Sequence, residues 1–269
     1  INKLRKLFSN YNLDGYIVPK NDEFFNEYIS ENKDRLKFIS NFTGSYGFAL
    51  ILKFKNYLFV DGRYSLQAKI QSKKFFNIIT IPERLPADVL KKKKFYIGFD
   101  PKLHTQKNLK ILFNKTNCKL VSINQNLIDK FNNRKINDKI KKFYSLPKQA
   151  IDQNYKLKIN KLINILKKKK SNFQFISSSE NIAWLLNIRG QDSKFTPIPN
   201  AYLTLDTKKR INLFCNLNKI KNSFKKKFKD IKFIDIQDTD LFLSRIKNKK
   251  IIIDSSSCSV YFEKILKKK

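Results

Sequence analysis

Apolar residues follow two rhythms along this chain: stripes spaced three and four apart, and short unbroken runs. Leu4, Leu7 and Phe8 form an i, i+3, i+4 stripe, which predicts a helix over residues 2–10. Asn12-Leu13-Asp14-Gly15 then turns the chain into Tyr16-Ile17-Val18-Pro19, a short buried strand closed by proline. The pattern goes on to predict helices at 22–29 and 33–40, then strands at 48–54 and 56–60 joined by a tight turn. A helix at 64–72, a strand at 78–81, a helix at 87–93 and a strand at 95–99 follow. A helix at 107–114 and a strand at 119–123 complete the series.

After residue 150 the same plan starts again. Leu157, Leu162, Ile163 and Leu166 make residues 155–169 an amphipathic helix. The strand expected at 173–177 parallels Tyr16–Pro19, and a helix at 179–186 opens on a serine cap. Strands at 201–205, 210–215 and 231–236 alternate with helices at 223–229 and 240–247. Ile251-Ile252-Ile253-Asp254 parallels Tyr96-Ile97-Gly98-Phe99-Asp100. Tandem duplication with drift accounts for this, and two α/β domains follow from it. The first is placed at residues 1–140 and the second at 150–269. A linker at 141–149 ends the polar, basic stretch that starts near Asn132 and stiffens at Leu146-Pro147. The second copy stops about one strand short, and residue 1 is Ile rather than Met. The sequence is therefore expected to be a piece of a longer one.

Composition narrows the functional classes. With 41% hydrophobic and 13% aromatic residues, the chain of 269 residues can bury a core. No apolar run approaches the roughly 20 residues of a membrane span, so no membrane role is expected. Cys118, Cys215 and Cys258 lack CxxC spacing, which excludes a disulfide framework and a cysteine zinc site and fits a reducing compartment. His104, the single histidine, leaves no histidine-rich metal site. The net charge of +35 invites a nucleic-acid reading. Yet the cations are mostly lysine, whereas bidentate recognition favours arginine. Their short runs, such as Lys91–Lys94 and Lys167–Lys170, lie at the edges of apolar segments as solvated ends do. No specific nucleic-acid partner is expected; weak, salt-sensitive attraction to polyanions is.

Several motifs carry candidate chemistry, each beside a plainer reading. Asp61-Gly62-Arg63-Tyr64 ends a strand. Arg63 there is either a carboxylate clamp or a structural ion pair with Asp61. Glu27 is read on a short helix, as a solvated acid or a functional one. Phe42-Thr43-Gly44-Ser45 is a helix-to-strand turn or a small anion nest. His104 is read as a surface or capping residue, Trp184 as core, and Arg189-Gly190 as a helix end with a C-cap glycine. Ser255-Ser256-Ser257 has no partnered base and reads as turn chemistry. Asp235, Asp238 and Asp240 read as helix caps. Nothing in the chain supplies the spaced acids and histidines of a hydrolytic metal site.

Taken together, these motifs resemble the amino-terminal half of aminopeptidase P (Xaa-Pro aminopeptidase), of the long three-domain type. The matching stretches include residues 13–19, Asn26-Glu27-Tyr28, the segment through Phe42-Thr43-Gly44-Ser45, the run from Val60 to Ala68, and Gly98-Phe99-Asp100-Pro101. Ile182-Ala183-Trp184-Leu185-Leu186-Asn187-Ile188-Arg189-Gly190 points to the long form. Tyr46 departs from the small residue usual after Phe-Thr-Gly-Ser.

The resemblance implies two tandem creatinase-type α/β domains, each a mixed sheet flanked by helices, without the pita-bread catalytic domain. In the family that missing domain holds two divalent metals, typically manganese, and hydrolyses the bond between an N-terminal residue and a following proline. No catalytic residue or metal ligand carries over, so this chain alone is expected to be inactive and free of cofactor. Glu27 and Arg63 match positions implicated in activity or assembly, as substrate- or interface-facing residues. Further implied are a cytoplasmic location, proline-containing peptides as substrates, homodimerisation when complete, and the catalytic domain as partner. A stand-alone interaction module of the same fold is the alternative, and a basic polyanion-binding protein a more distant one.

Overall fold

A computed structural model describes residues 1–132, 140–193 and 195–267. The chain divides into two compact units, Ile1–Glu23 with Ile29–Ile136, and Phe24–Tyr28 with Asn137–Lys269.

The first unit runs α1 (Asn2–Lys6), β1 (Gly15–Pro19), α2 (Arg35–Ser40), β2 (Gly47–Leu52), β3 (Asn56–Asp61), α3 (Ser65–Ser72), β4 (Asn77–Ile81), α4 (Pro86–Leu90), β5 (Tyr96–Phe99), α5 (Gln106–Phe113) and β6 (Lys119–Ser122). Its six strands form one sheet in the order β4-β3-β2-β1-β5-β6. β1 and β2 are buried throughout, as central strands covered on both faces must be. Tyr16 and Val18 of β1 share one core with Ala49 and Ile51 of β2, Leu58 and Val60 of β3, Leu36 of α2 and Phe42 just after it. Ile17, Leu50 and Phe59 alternate onto the opposite face.

The second unit comprises β7 (Tyr144–Ser145), α6 (Tyr155–Lys168), β8 (Phe173–Ile176), α7 (Ser179–Leu186), β9 (Ile188–Arg189), β10 (Ala201–Asp206), β11 (Ile211–Cys215), α8 (Asn222–Lys227), β12 (Ile231–Asp235), α9 (Thr239–Ser244), β13 (Ile251–Ile252) and α10 (Val260–Lys267). Its main sheet has the order β12-β11-β10-β8-β13. Read strand for strand, this repeats β4-β3-β2-β1-β5. The directions repeat as well. β8–β10 and β10–β11 are antiparallel, and β8–β13 and β11–β12 parallel, as are their counterparts in the first sheet. Among the described residues nothing in the second unit corresponds to β6. Leu203, Leu205 and Leu213 face a core shared with α6 and α7. Phe175, Tyr202 and Phe214 face the other core, which Leu243 of α9 and Phe262 of α10 complete.

The stretch expected to be a linker is partly built into the second unit. Phe143 is buried in its core and its N–H donates to the Lys219 carbonyl at 2.9 Å. Tyr144–Ser145 pair antiparallel with Ile188–Arg189. The polar surroundings masked one aromatic anchor. Residues 133–139 of that stretch lie outside the described residues.

The segment expected to be a helix at 22–29 is not one. Phe25 sits at φ 57°, a left-handed conformation that an α-helix does not admit. Its neighbours turn toward the second unit instead. Phe24 stacks on Tyr202 with centroids 5.0 Å apart, and Tyr28 meets Phe195 edge-on at 5.1 Å. The Asn26 amide donates to Asn200 Oδ1 at 2.8 Å, and Ser193 Oγ donates to the Tyr28 carbonyl at 3.0 Å.

Candidate functional site

β3 ends on Asp61, whose carboxylate caps the tight helical turn Gly62–Tyr64. Asp61 Oδ1 accepts from the Arg63 N–H at 3.0 Å and from Arg63 Nε at 2.9 Å, and Oδ2 accepts from Nη2 at 3.4 Å. The Arg63 side chain hydrogen bond, then its N–H, hold the Asp61 carboxyl below the usual range. Arg63 thus makes the ion pair with Asp61 that its place in the turn allows. Its side chain remains 75% exposed, with the guanidinium 5.6 Å from the Tyr64 ring centroid.

Tyr64 ties this turn to the Phe42-Thr43-Gly44-Ser45 segment. Its hydroxyl and Ser45 Oγ are hydrogen-bonded at 2.9 Å, and its ring meets Phe42 edge-on. The Gln67 and Gln71 amides, from α3, both donate to Thr43 Oγ1 at 2.8 Å, and Gln71 Oε1 accepts the Thr43 N–H at 2.9 Å. That N–H is thus committed within the fold, which removes one donor that an anion nest would use. Gly44 is required because the Phe42 ring covers it; a Cβ there would lie 2.3 Å from Phe42 Cζ. Two motifs about twenty residues apart in sequence form one hydrogen-bonded corner. Of the residues that join them, Tyr64 and Gln67 lie in the run from Val60 to Ala68 and Gln71 beyond it, and their role depends on pairing that spacing alone does not show.

Glu27 is exposed and lies in the Phe24–Tyr28 segment of the second unit, while Arg63 belongs to the first. Arg63 pairs with Asp61.

Three readings are corrected. His104 is buried, not superficial. It lies edge-on to Phe99 at 5.8 Å, because Asp100-Pro101 folds the loop inward over β5. Neither ring nitrogen makes a well-formed hydrogen bond, and burial pushes the imidazole down to about 4, the Asn108 side chain offsetting only part of this. Trp184 is 64% exposed, not core. A helix buries one stripe, and Ile182, Leu185 and Leu186 already occupy it. The Lys158 ammonium lies 4.3 Å from the Trp184 ring centroid and donates to Asn187 Oδ1 at 2.5 Å and to the Trp184 carbonyl. Finally, α7 ends on Asn187 at φ 55°, not on Gly190. Arg189 Nη1 instead donates to the Ala183 carbonyl at 3.1 Å, and Gly190 admits the Pro199 backbone, 2.7 Å from where a Cβ would sit.

Several other chemistry-bearing groups are engaged or buried within the fold. Asp235 caps the turn Ile236–Asp238, Ser257 accepts from Ser177 Oγ through its carbonyl, and burial pushes the Cys215 and Cys258 thiols up to about 12. Among the described residues no group of three or more His, Cys, Asp or Glu is placed to hold a metal ion. A dinuclear metal centre does not fit these side chains.

Residues 1–131 match the creatinase/prolidase N-terminal domain family, and residues 133–269 match a second model of the same description. The chain is 33% identical over 217 residues to the probable Xaa-Pro aminopeptidase P of Laccaria bicolor, covering 76% of this chain and 34% of that protein. It is 29% identical over 249 residues to Xaa-Pro aminopeptidase 1 of Dictyostelium discoideum, covering 84% and 38% respectively. It thus spans little more than a third of these relatives. Its fold matches the X-prolyl aminopeptidase of Caenorhabditis elegans, described as a cytosolic enzyme with a dinuclear active site. The TM-score is 0.81 at 25% identity, over 90% of this chain and 43% of that one.

Proposed function

Since the chain belongs to the creatinase/prolidase N-terminal domain family, in two successive copies, we propose that it is the non-catalytic amino-terminal part of a Xaa-Pro aminopeptidase. One observation carries this reading. Both repeats, in order, match a single X-prolyl aminopeptidase over 90% of the chain. In the complete enzyme two divalent metals, manganese in this reading, are held by a peptidase domain outside these residues and supply the activated water. No hydrolytic step is assigned to this chain. Its residues border the cleft that admits short, proline-containing peptides and take part in homodimer assembly, in the cytoplasm.

Arg63 and Glu27 are the residues proposed to face substrate or a neighbouring domain. Asp61 fixes the Arg63 side chain by a forked pair without covering it, which suits a group that must present charge in one direction. Introduced into an enzyme carrying this part together with the metal domain, Arg63→Glu should lower kcat/KM on a Xaa-Pro peptide by about tenfold, one clamp contact's worth, or dissociate the dimer. Unchanged turnover together with an unchanged sedimentation profile would remove Arg63 from this role.

A further inference from the structure

At one edge of the first unit, two turns expose a phenylalanine each. Phe54 lies at the tip of the β2–β3 hairpin, within Lys53-Phe54-Lys55, and is 92% exposed; Phe75 follows Lys73-Lys74 just before β4 and is 68% exposed. β3 and β4 run parallel, with Tyr57 opposite Asn77, so both turns lie at the same end of the sheet. They are tied to each other. Asn56 Nδ2 donates to the Phe75 carbonyl at 2.9 Å, and Asn77 Nδ2 donates to the Asn56 carbonyl at 3.1 Å. Arg5 of α1 braces the hairpin through Leu52 O at 3.0 Å and Asn56 Oδ1 at 2.8 Å. Between the turns is a recess of about 360 Å³ that both phenylalanines border and that Arg5, Lys55 and Lys74 line, with no acid in its wall.

We propose that this edge is a docking surface for an anionic lipid bilayer, with the recess seating a phosphodiester headgroup and Phe54 and Phe75 entering the interfacial layer. Charge complementarity sets the sign of the partner: three cations line the recess, and the acid nearest in the hairpin's pairing, Asp14, is already taken by Lys53 at 2.7 Å. The state of the aromatic rings sets its class. Proteins that bind single strands stack successive bases on aromatic side chains along a groove that tracks the backbone, whereas these two rings stand on separate turns, one before β3 and one before β4. Phe54 is bare on both faces, as suits a side chain that is to be buried in lipid. The lack of a spanning segment, from which no membrane role was expected, does not bear on a surface contact. Among the described residues no helix is long and apolar enough to cross a membrane, and an interfacial contact needs none.

The test is binding of the purified chain to phosphatidylcholine vesicles with about 30% phosphatidylserine at about 150 mM salt, where charge attraction beyond about 8 Å is screened. Changing Phe54→Ala and Phe75→Ala together keeps the net charge and should weaken binding by at least about tenfold. The pair Lys55→Gln and Lys74→Gln should weaken it more than Lys167→Gln with Lys168→Gln, which removes equal charge elsewhere. A Phe54→Trp reporter should shift to the blue and be quenched by brominated lipid. Native-like vesicle binding by the double alanine variant, or a reporter that stays water-exposed, would overturn the proposal. So would a loss by that variant of single-stranded oligonucleotide binding with vesicle binding intact.

Discussion

Replacing Arg35 with methionine should destabilise the first unit by about 3 kcal/mol, near the lower end of what removing one partner of a buried ion network costs. Arg35 is 1% exposed. Its Nε and Nη2 donate to the two Asp129 oxygens at 2.8 and 2.7 Å, and Nη2 also donates to Glu23 Oε1 at 2.8 Å. The variant leaves two carboxylates facing a site built for a cation. Asp129 is 40% open to water and Glu23 22%, so solvent recovers part of the loss; full burial would put the figure near the upper end of the range. Burial alone would raise the Glu23 carboxyl, but the charges of Arg35 and Lys33 overcome it and hold it at about 2. A carboxyl depressed from 4.5 stabilises the fold above its unfolded pKa, and that contribution is lost as pH falls toward 2. The gap between native protein and variant should therefore be widest at neutral pH and narrow steadily below pH 4.5. Amide exchange of Ile17 and Val18 in β1 measures it. A loss below about 1 kcal/mol would mean that the network is no better than a surface pair.

A second, separate acid transition should come from His104. Its imidazole is pushed from 6.5 down to about 4 by burial. The unfolded chain takes up a proton through this interval and the folded chain does not. Stability is therefore complete above pH 6.5 and falls by about 3 kcal/mol on the way to pH 4, at about 1.4 kcal/mol per unit. This interval lies above that of Glu23 except for an overlap between pH 4.5 and 4, so the slopes above pH 4.5 and below pH 4 are separable in one titration. His104→Phe, which fills the same apolar site without titrating, should flatten the slope between pH 6.5 and 4 and leave the lower one in place. An unchanged upper slope would assign it to another group.

How far the fold is legible from the residues depends on how local the causes are. Gly47–Leu52 is an unbroken apolar run and Ala201–Asp206 a largely apolar one with Thr204 inside it, and the repeat of one plan is visible as a repeated succession of helices and strands; the two sheets agree over five strands. The misses have distant causes. Phe24 and Tyr28 leave helical geometry for aromatic partners more than 160 residues away. His104 looked superficial because the loop around it is polar, and Phe99 and the fold of that loop bury it. Arg35 gave no sign of its burial, since its acids lie 12 and 94 residues off. Trp184 misled for the opposite reason. An apolar run of five on a helix must expose some member, and hydropathy does not say which. In the candidate site the motifs were visible, but the corner that Tyr64, Gln67 and Gln71 make of them arises only when α3 packs beside the turn.

Peptide cleavage by this polypeptide on its own decides whether it shapes an active site or contains one. The purified chain is incubated with manganese and an Arg-Pro-Pro peptide, and released arginine is measured against manganese alone. No release above that blank is the predicted result; steady, manganese-dependent turnover would contradict it.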